Sequence, residues 1–161
     1  MFSPDGVVEH CLFEGKNGNL FVSTEVLRHL KFNSKRLAPI RSEKNSRFPW
    51  MYVDRKGRVV ISCIPSIDNW ADEFSEGLVR TSVANKVGFS DAQGRIVIPP
   101  IYDWASPFEN GYAEVCDGCR ERCATPGGIV EIESLSGGCD HHVMDGGKWF
   151  KIDKTGRVIL K

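Results

Sequence analysis

The sequence predicts an all-β protein of mainly antiparallel hairpin and meander repeats with one short N-terminal helix. Three observations carry this expectation. A turn-plus-strand phrase recurs four times: Asn17-Gly18-Asn19-Leu20-Phe21-Val22, Lys56-Gly57-Arg58-Val59-Val60-Ile61, Gln93-Gly94-Arg95-Ile96-Val97-Ile98 and Thr155-Gly156-Arg157-Val158-Ile159-Leu160. The runs that enter these turns, such as Trp50-Met51-Tyr52-Val53 and Trp149-Phe150-Lys151-Ile152, are aromatic and β-branched, as a pleated half-buried surface demands. A second phrase, from Trp70-Ala71 through Phe74 and Gly77 to Val79, returns 34 residues later (104 − 70) as Trp104-Ala105, Phe108, Gly111 and Ala113. Self-similarity at such a period marks a repeat array, whose units stack because none buries its apolar face alone.

Each element has a local reason. Asp54, Asp91 and Asp153 stand three positions before the glycine of the last three turns. An aspartate there caps the backbone N–H groups of a hairpin turn, and the glycine supplies positive φ. These carboxylates therefore read as turn formers and not as a catalytic set. Residues 7–22 read as a leading hairpin. Residues 24–30 read as a helix, with Thr24 as cap and Leu27 and Leu30 on its apolar face. Residues 32–40 are a faint copy of the second phrase with one extra residue and no glycine. Residues 98–111 form the best-preserved stretch, a strand, a Pro99-Pro100 corner and a second strand, because proline sits at the ends of ladders. The chain thus reads as a single domain over 1–161, with units at about 7–47, 48–85 and 86–161.

Composition bounds the function. The chain has 161 residues, 41% hydrophobic and 26% charged, the balance of a globular domain. Lys plus Arg and Asp plus Glu both number 21, so no broad electrostatic footprint for nucleic acid or anionic lipid is expected. With no leader-like start and no long apolar run, the expected location is cytoplasmic, without membrane. The stretch 31–44 carries Lys31, Lys35, Arg36, Arg41 and Lys44 against Glu43, and reads as a solvated face or a local site for an acidic partner.

The last period exceeds the others by about 25 residues, and the excess forms an insertion at 116–147. It holds Cys116, Cys119, Cys123, Cys139, His141 and His142. Cys116-x2-Cys119 with Cys139-x2-His142 has the two-residue knuckle spacing of a tetrahedral zinc site, with Cys123 and His141 as alternate ligands. A structural zinc would order an insert that has few large apolar residues. Two other readings stay open: disulfides, if the protein is exported, and thiols in an ordinary loop. Cys11 and Cys63 lie in strand-like runs and read as small buried hydrophobes. His10 and His29 read as partly exposed structural residues.

No nucleophile elbow, phosphate-binding Gly-Lys-Ser/Thr loop or His-Glu-x-x-His motif is present, so the chain is expected to be no enzyme. A thiol enzyme using the insert cysteines with His141 or His142 is the weakest alternative. Trp50, Trp70, Trp104 and Trp149 suggest a sugar-stacking platform, but their recurrence at equivalent positions favours packing. Tyr102, Trp104 and Phe108 read as scaffold.

The segment 86–115 and the partial copies at 50–79 and 148–160 resemble the WG repeat family of bacterial β-rich repeats. Trp50-Met51 and Trp149-Phe150 replace its Trp-Gly, and Ser62-Cys63-Ile64-Pro65 loosens its Pro-Pro corner. The resemblance implies a β-repeat scaffold with a binding surface and brings no catalytic residues. The resulting expectation is a non-catalytic protein-binding module, of the kind that serves as an immunity or antitoxin protein or a secretion-linked adaptor. Its partner would be a protein, such as a toxin. The alternative is a carbohydrate or cell-wall binder.

Overall fold

The computed structural model describes residues 2–3, 6–7, 12–14, 18–42, 49–67, 70–132 and 137–160. The short strands β1 (Phe2–Ser3) and β2 (Gly6–Val7) pair with each other, as do β3 (Leu12–Glu14) and β4 (Leu20–Val22). The expected leading hairpin is therefore β3–β4; His10 and Cys11 lie outside the described residues. Helix α1 (Thr24–Leu27) is shorter than its pattern suggested, and its cap is Ser23, whose Oγ accepts from Val26 N at 3.5 Å. Val26 is the buried residue of the helix, with Leu30 packed beside it after the last turn.

Three antiparallel meanders follow. The first is β5 (Leu37–Arg41), β6 (Trp50–Asp54) and β7 (Val59–Ile64). A corner of β8 (Ser66–Ile67) and β9 (Trp70–Ala71) leads into the second, β10 (Leu78–Val83), β11 (Lys86–Asp91) and β12 (Ile96–Tyr102). Strand β13 (Trp104–Ala105) leads into the third, which comprises β14 (Tyr112–Thr125), β16 (His142–Asp153) and β17 (Val158–Leu160), with β15 (Gly128–Val130) beside β14. The fold is all-β, as expected.

The aspartate turns form as their chemistry dictates. Oδ1 of Asp54 accepts from Lys56 N and Arg58 N at 2.9 and 3.0 Å, and Asp91 and Asp153 repeat the pattern. Gly57, Gly94 and Gly156 adopt φ of 81°, 80° and 83°. These glycines do a second job. A Cβ on Gly57 would lie 2.9 Å from Val22 O, one on Gly94 2.3 Å from Val60 O, and one on Gly156 3.5 Å from Ile98 Cγ2. The Gly94 and Gly156 turns are thus laid on the third strand of the meander before theirs and the Gly57 turn on β4, where Val22 N donates to Gly57 O at 2.7 Å. The cores sit in these joints. Val22, Val26, Ile40 and Val53 join the N-terminal segment to the first meander; Trp50, Tyr52, Ile64 and Val79 join the first to the second. Phe89, Ile98, Phe108, Val115 and Ile152 join the second to the third.

The departures from the repeat pattern have a steric account. Strand β12 bulges between Ile98 and Tyr102, where Pro99 and Pro100 leave the ladder, and a Cβ on Gly88 would meet Ile98 O at 2.4 Å. In the first meander the looser Ser62-Cys63 bulge, with Cys63 at φ 55°, leaves room for Met51 at the position of Gly88. Cys63 is half-buried there, more exposed than a core residue.

Register locates the insertion. In the second meander Val83 pairs with Lys86 across a two-residue turn, Ala84-Asn85, both at positive φ (49° and 63°). At the matching place in the third, Asp117 pairs with Lys148, and residues 118–147 stand where the turn would be. They form an extension of the same hairpin, an arm in which Cys119 to Cys123 pair with 146 to 142. It leaves the scaffold through Gly118 and Gly147 (φ 81° and 66°), and a Cβ on Gly147 would lie 2.4 Å from Cys119 N. The expected alternating strand after Gly128 ends at Val130, and 133–136 lie outside the described residues.

Candidate functional site

A groove of about 560 Å³ lies between the corner of the scaffold and the arm, with Ser66, Arg80, Trp104, Glu121, His142 and Trp149 among its lining. Its floor is built around Arg80, an arginine buried along with Leu78, Val79, Thr81 and Ser82 of the same strand. Nε and Nη2 donate to the Asp72 carboxylate at 2.8 and 2.9 Å, and Nη1 donates to Ala105 O at 2.8 Å. Asp72 is 1% and Arg80 8% exposed. A buried ion pair is tolerated only when its hydrogen bonds are satisfied, as here, and this one ties the first corner to the second. Tyr52 braces the same corner by donating its hydroxyl to Asp72 O at 2.9 Å. Burial, with the nearby Asp72 and Glu73 carboxylates, pushes the Tyr52 hydroxyl up to about 12.

The wall comes from strand pairing. Trp104 pairs with Cys116 and Cys116 with Trp149, so the three form one row across β13, β14 and β16. Side chains in such a row share a face of the sheet. The two indoles meet above Cys116 with centroids 5.5 Å apart, tilted by 55°. Trp149 Nε1 donates to Gly146 O at 2.8 Å. Trp70 sits equivalently on the first corner, against Trp50 at 5.2 Å. The expectation that the tryptophans are packing residues holds for Trp50, which is buried. It is corrected for Trp70 and Trp149, which are 56% and 37% exposed, while Trp104 is half-buried. Tyr102 and Phe108 are buried scaffold.

The opposite wall is the arm. His142 Nδ1 stands 3.0 Å from Glu121, and Arg122 bridges Glu131 and Asp145. At the foot of the groove Asp103 accepts from Lys86 Nζ at 2.6 Å and from Gly118 N at 2.6 Å.

The structure places Cys116 in the scaffold and the other five candidate metal ligands along the arm. Cys116 is bonded to Cys119, with Cα atoms 6.0 Å apart, and Cys123 to Cys139, at 5.6 Å. Cys123 lies four strand steps beyond Cys119, about 13 Å of rise, whereas zinc ligands stand about 2 Å from one ion. Cys116, Cys119, Cys139 and His142 are therefore not gathered around a common centre. His141 is exposed, its carbonyl accepting from Ala124 N. Among the described residues no group of three or more His, Cys, Asp and Glu side chains is placed to hold a metal ion. Likewise, among the described residues no helix is long and apolar enough to cross a membrane. In the basic stretch, Lys31, Lys35, Arg36 and Arg41 are exposed, and Lys44 and Glu43 lie outside the described residues. Arg36 has a structural duty: its φ of 63° replaces the glycine missing from the faint copy.

Sequence reasoning missed the groove because its parts are remote in the chain. The one local signal is Arg80, the charged residue in the strand sequence Leu78-Val79-Arg80-Thr81-Ser82-Val83. The model of the family described as WG containing repeat matches residues 50–64 and 88–118. No curated protein and no solved structure matches the chain. The matched segments, β6 and β7 of the first meander and most of the second with its continuation into β14, are thus similar to WG repeats.

Proposed function

We propose that this WG-repeat chain is a non-catalytic binding module that takes a protein partner in the groove between corner and arm. One observation supports this most: Trp104 and Trp149 form an aromatic wall, part-exposed, facing a charged arm across a concave space. Rigid aromatics beside a polar rim are the usual anchors of protein interfaces. The narrower reading is an immunity or antitoxin protein, or an adaptor of a secretion-linked system. Capture of a stoichiometric, toxin-like partner by the wild-type chain, lost with Trp104→Ala/Trp149→Ala, is the expected result. Equal capture by both proteins would sink the groove as the recognition surface.

A carbohydrate ligand is the second reading, favoured by the exposure of Trp70 and Trp149. Tryptophan fluorescence titrated with glycans separates the two, since only a sugar stacked on these indoles shifts the emission. A structural zinc on Cys116, Cys119, Cys139 and His142 requires both sulfur bridges open and the arm refolded. Metal analysis of the purified chain beside Cys119→Ser tests it, and absence of zinc from both removes it.

A further inference from the structure

We propose that Cys116 and Cys119 are a reversible dithiol–disulfide clasp at the base of the arm, with Cys119 the sulfur that meets an external dithiol. The redox state of the clasp sets the geometry of the groove. This last consequence rests on the binding reading above; the thiol chemistry does not.

Position is the first argument. Cys116 belongs to the scaffold, in the row with Trp104 and Trp149, and Cys119 is the second residue of the arm, past the Asp117–Lys148 pair. The bridge spans the point where the arm departs, and the backbone between is a hinge with Gly118 at φ 81° opposite Gly147 at 66°. The bridge Cys123–Cys139 lies wholly inside the arm, so only the first crosses from scaffold to arm.

Connection to the groove is the second argument. Gly118 N, inside the clasp, donates to Asp103 at the groove foot. Gly146, the register partner of Cys119, receives the Trp149 indole N–H, and Cys116 Sγ lies 3.9 Å from the same carbonyl. Both tryptophans cover Cys116. Moving the clasp thus moves both walls.

Accessibility is the third. Cys116 is 0% and Cys119 5% exposed, and Cys119 borders a second cavity of about 300 Å³ with Asn85, Lys86, Glu121 and Met144. In exchange chemistry the sulfur attacked is the one that can be reached. A thiolate of the dithiol attacks Cys119 Sγ, forming a mixed disulfide and releasing Cys116 as a thiolate that takes up a proton. The second thiol of the reductant then attacks its own sulfur in the mixed disulfide. It releases Cys119 and leaves as the oxidised dithiol, two electrons and two protons having passed to the protein.

The test uses the full chain, wild type and Cys123→Ser/Cys139→Ser, equilibrated in graded mixtures of reduced and oxidised dithiothreitol. Thiols are alkylated and located by peptide mass spectrometry while tryptophan emission is read in parallel. Cys116 and Cys119 are expected to convert together and reversibly, with emission following the same curve; Trp104→Phe/Trp149→Phe abolishes the emission change and keeps the thiol titration. In single variants, Cys119 of Cys116→Ser reacts with an aryl disulfide about tenfold or more faster than Cys116 of Cys119→Ser, as burial of the target sulfur dictates. Thiols that stay reduced in the fully oxidised mixture, emission that ignores the titration, or a faster Cys116 overturns the proposal. Should the single variants fail to fold, the wild-type titration decides alone. Partner capture by the oxidised and reduced protein is scored separately: equal capture removes the regulation, and capture in neither state removes the binding reading while leaving the clasp.

Discussion

Glycine and alanine at positive φ separate two physical effects. Gly94 combines φ 80° with a Cβ position 2.3 Å from Val60 O, whereas Gly111 has φ 86° and nothing within 4 Å. Gly111→Ala should lower stability by about 1 kcal/mol from backbone strain alone, and Gly94→Ala by clearly more, since the joint must also part. Urea midpoints of the two variants check the order. Ala84 is the reverse case, an alanine at φ 49° in an exposed turn. Ala84→Gly should raise stability by roughly 0.5–1 kcal/mol, visible as a higher melting temperature. Arg80→Leu should cost about 3–5 kcal/mol, because the Asp72 carboxylate stays buried without its partner. Adding Asp72→Asn should recover part of that loss in a double-mutant cycle. The aspartate turns were legible in the sequence because capping and positive φ are local demands written within four residues. The Ala84-Asn85 turn was not, since neither residue advertises the conformation that the β10–β11 register imposes.

At the level of elements the arm depends on its second bridge. Cys123–Cys139 closes a loop of 16 intervals, worth about 3 kcal/mol of chain entropy in the loop-closure treatment. Exposed pairs such as Glu121–His142 add little. Cys123→Ser/Cys139→Ser should therefore speed amide exchange in 120–145 while leaving β10 to β12 protected; equal loss of protection in both would show that the arm and scaffold unfold as one. That the third unit carries extra residues was legible, because a period that lengthens must leave the scaffold somewhere. What they form was not. Two-residue spacing suits a zinc knuckle in a turn, but here the positive φ of Gly118 brings Cys116 and Cys119 to 6.0 Å between Cα atoms, while the strand beyond carries Cys123 away from both.

Across the whole molecule, acid should loosen the joints. Glu76 is held below the usual carboxylate range by Lys154 and by Gly111 N–H, contacts that bind the second and third units. Thr155 and the turn backbone bring Asp153 down to about 2. A carboxyl with a depressed folded value is protonated first in the unfolded chain. Its contribution is complete above about pH 4, the unfolded value, and is lost as pH falls toward about 2. Urea midpoints should hold from pH 7 to 5 and drop below 4, less steeply in Asp153→Asn. The array as a repeat was readable because identical joints need similar residues, whereas the groove combines the recurring Trp104 and Trp149 with Ser66, Arg80 and Glu121, which are used once and leave no periodic trace. The third unit carries residues 118–147 where the second carries Ala84-Asn85, and Gly156 still seats on Ile98. The Ala84-Asn85 position is therefore a ready graft point: a foreign hairpin spliced there, with both strands lengthened equally to keep the pleat in phase, would be displayed beside the natural arm as a second, independently variable finger.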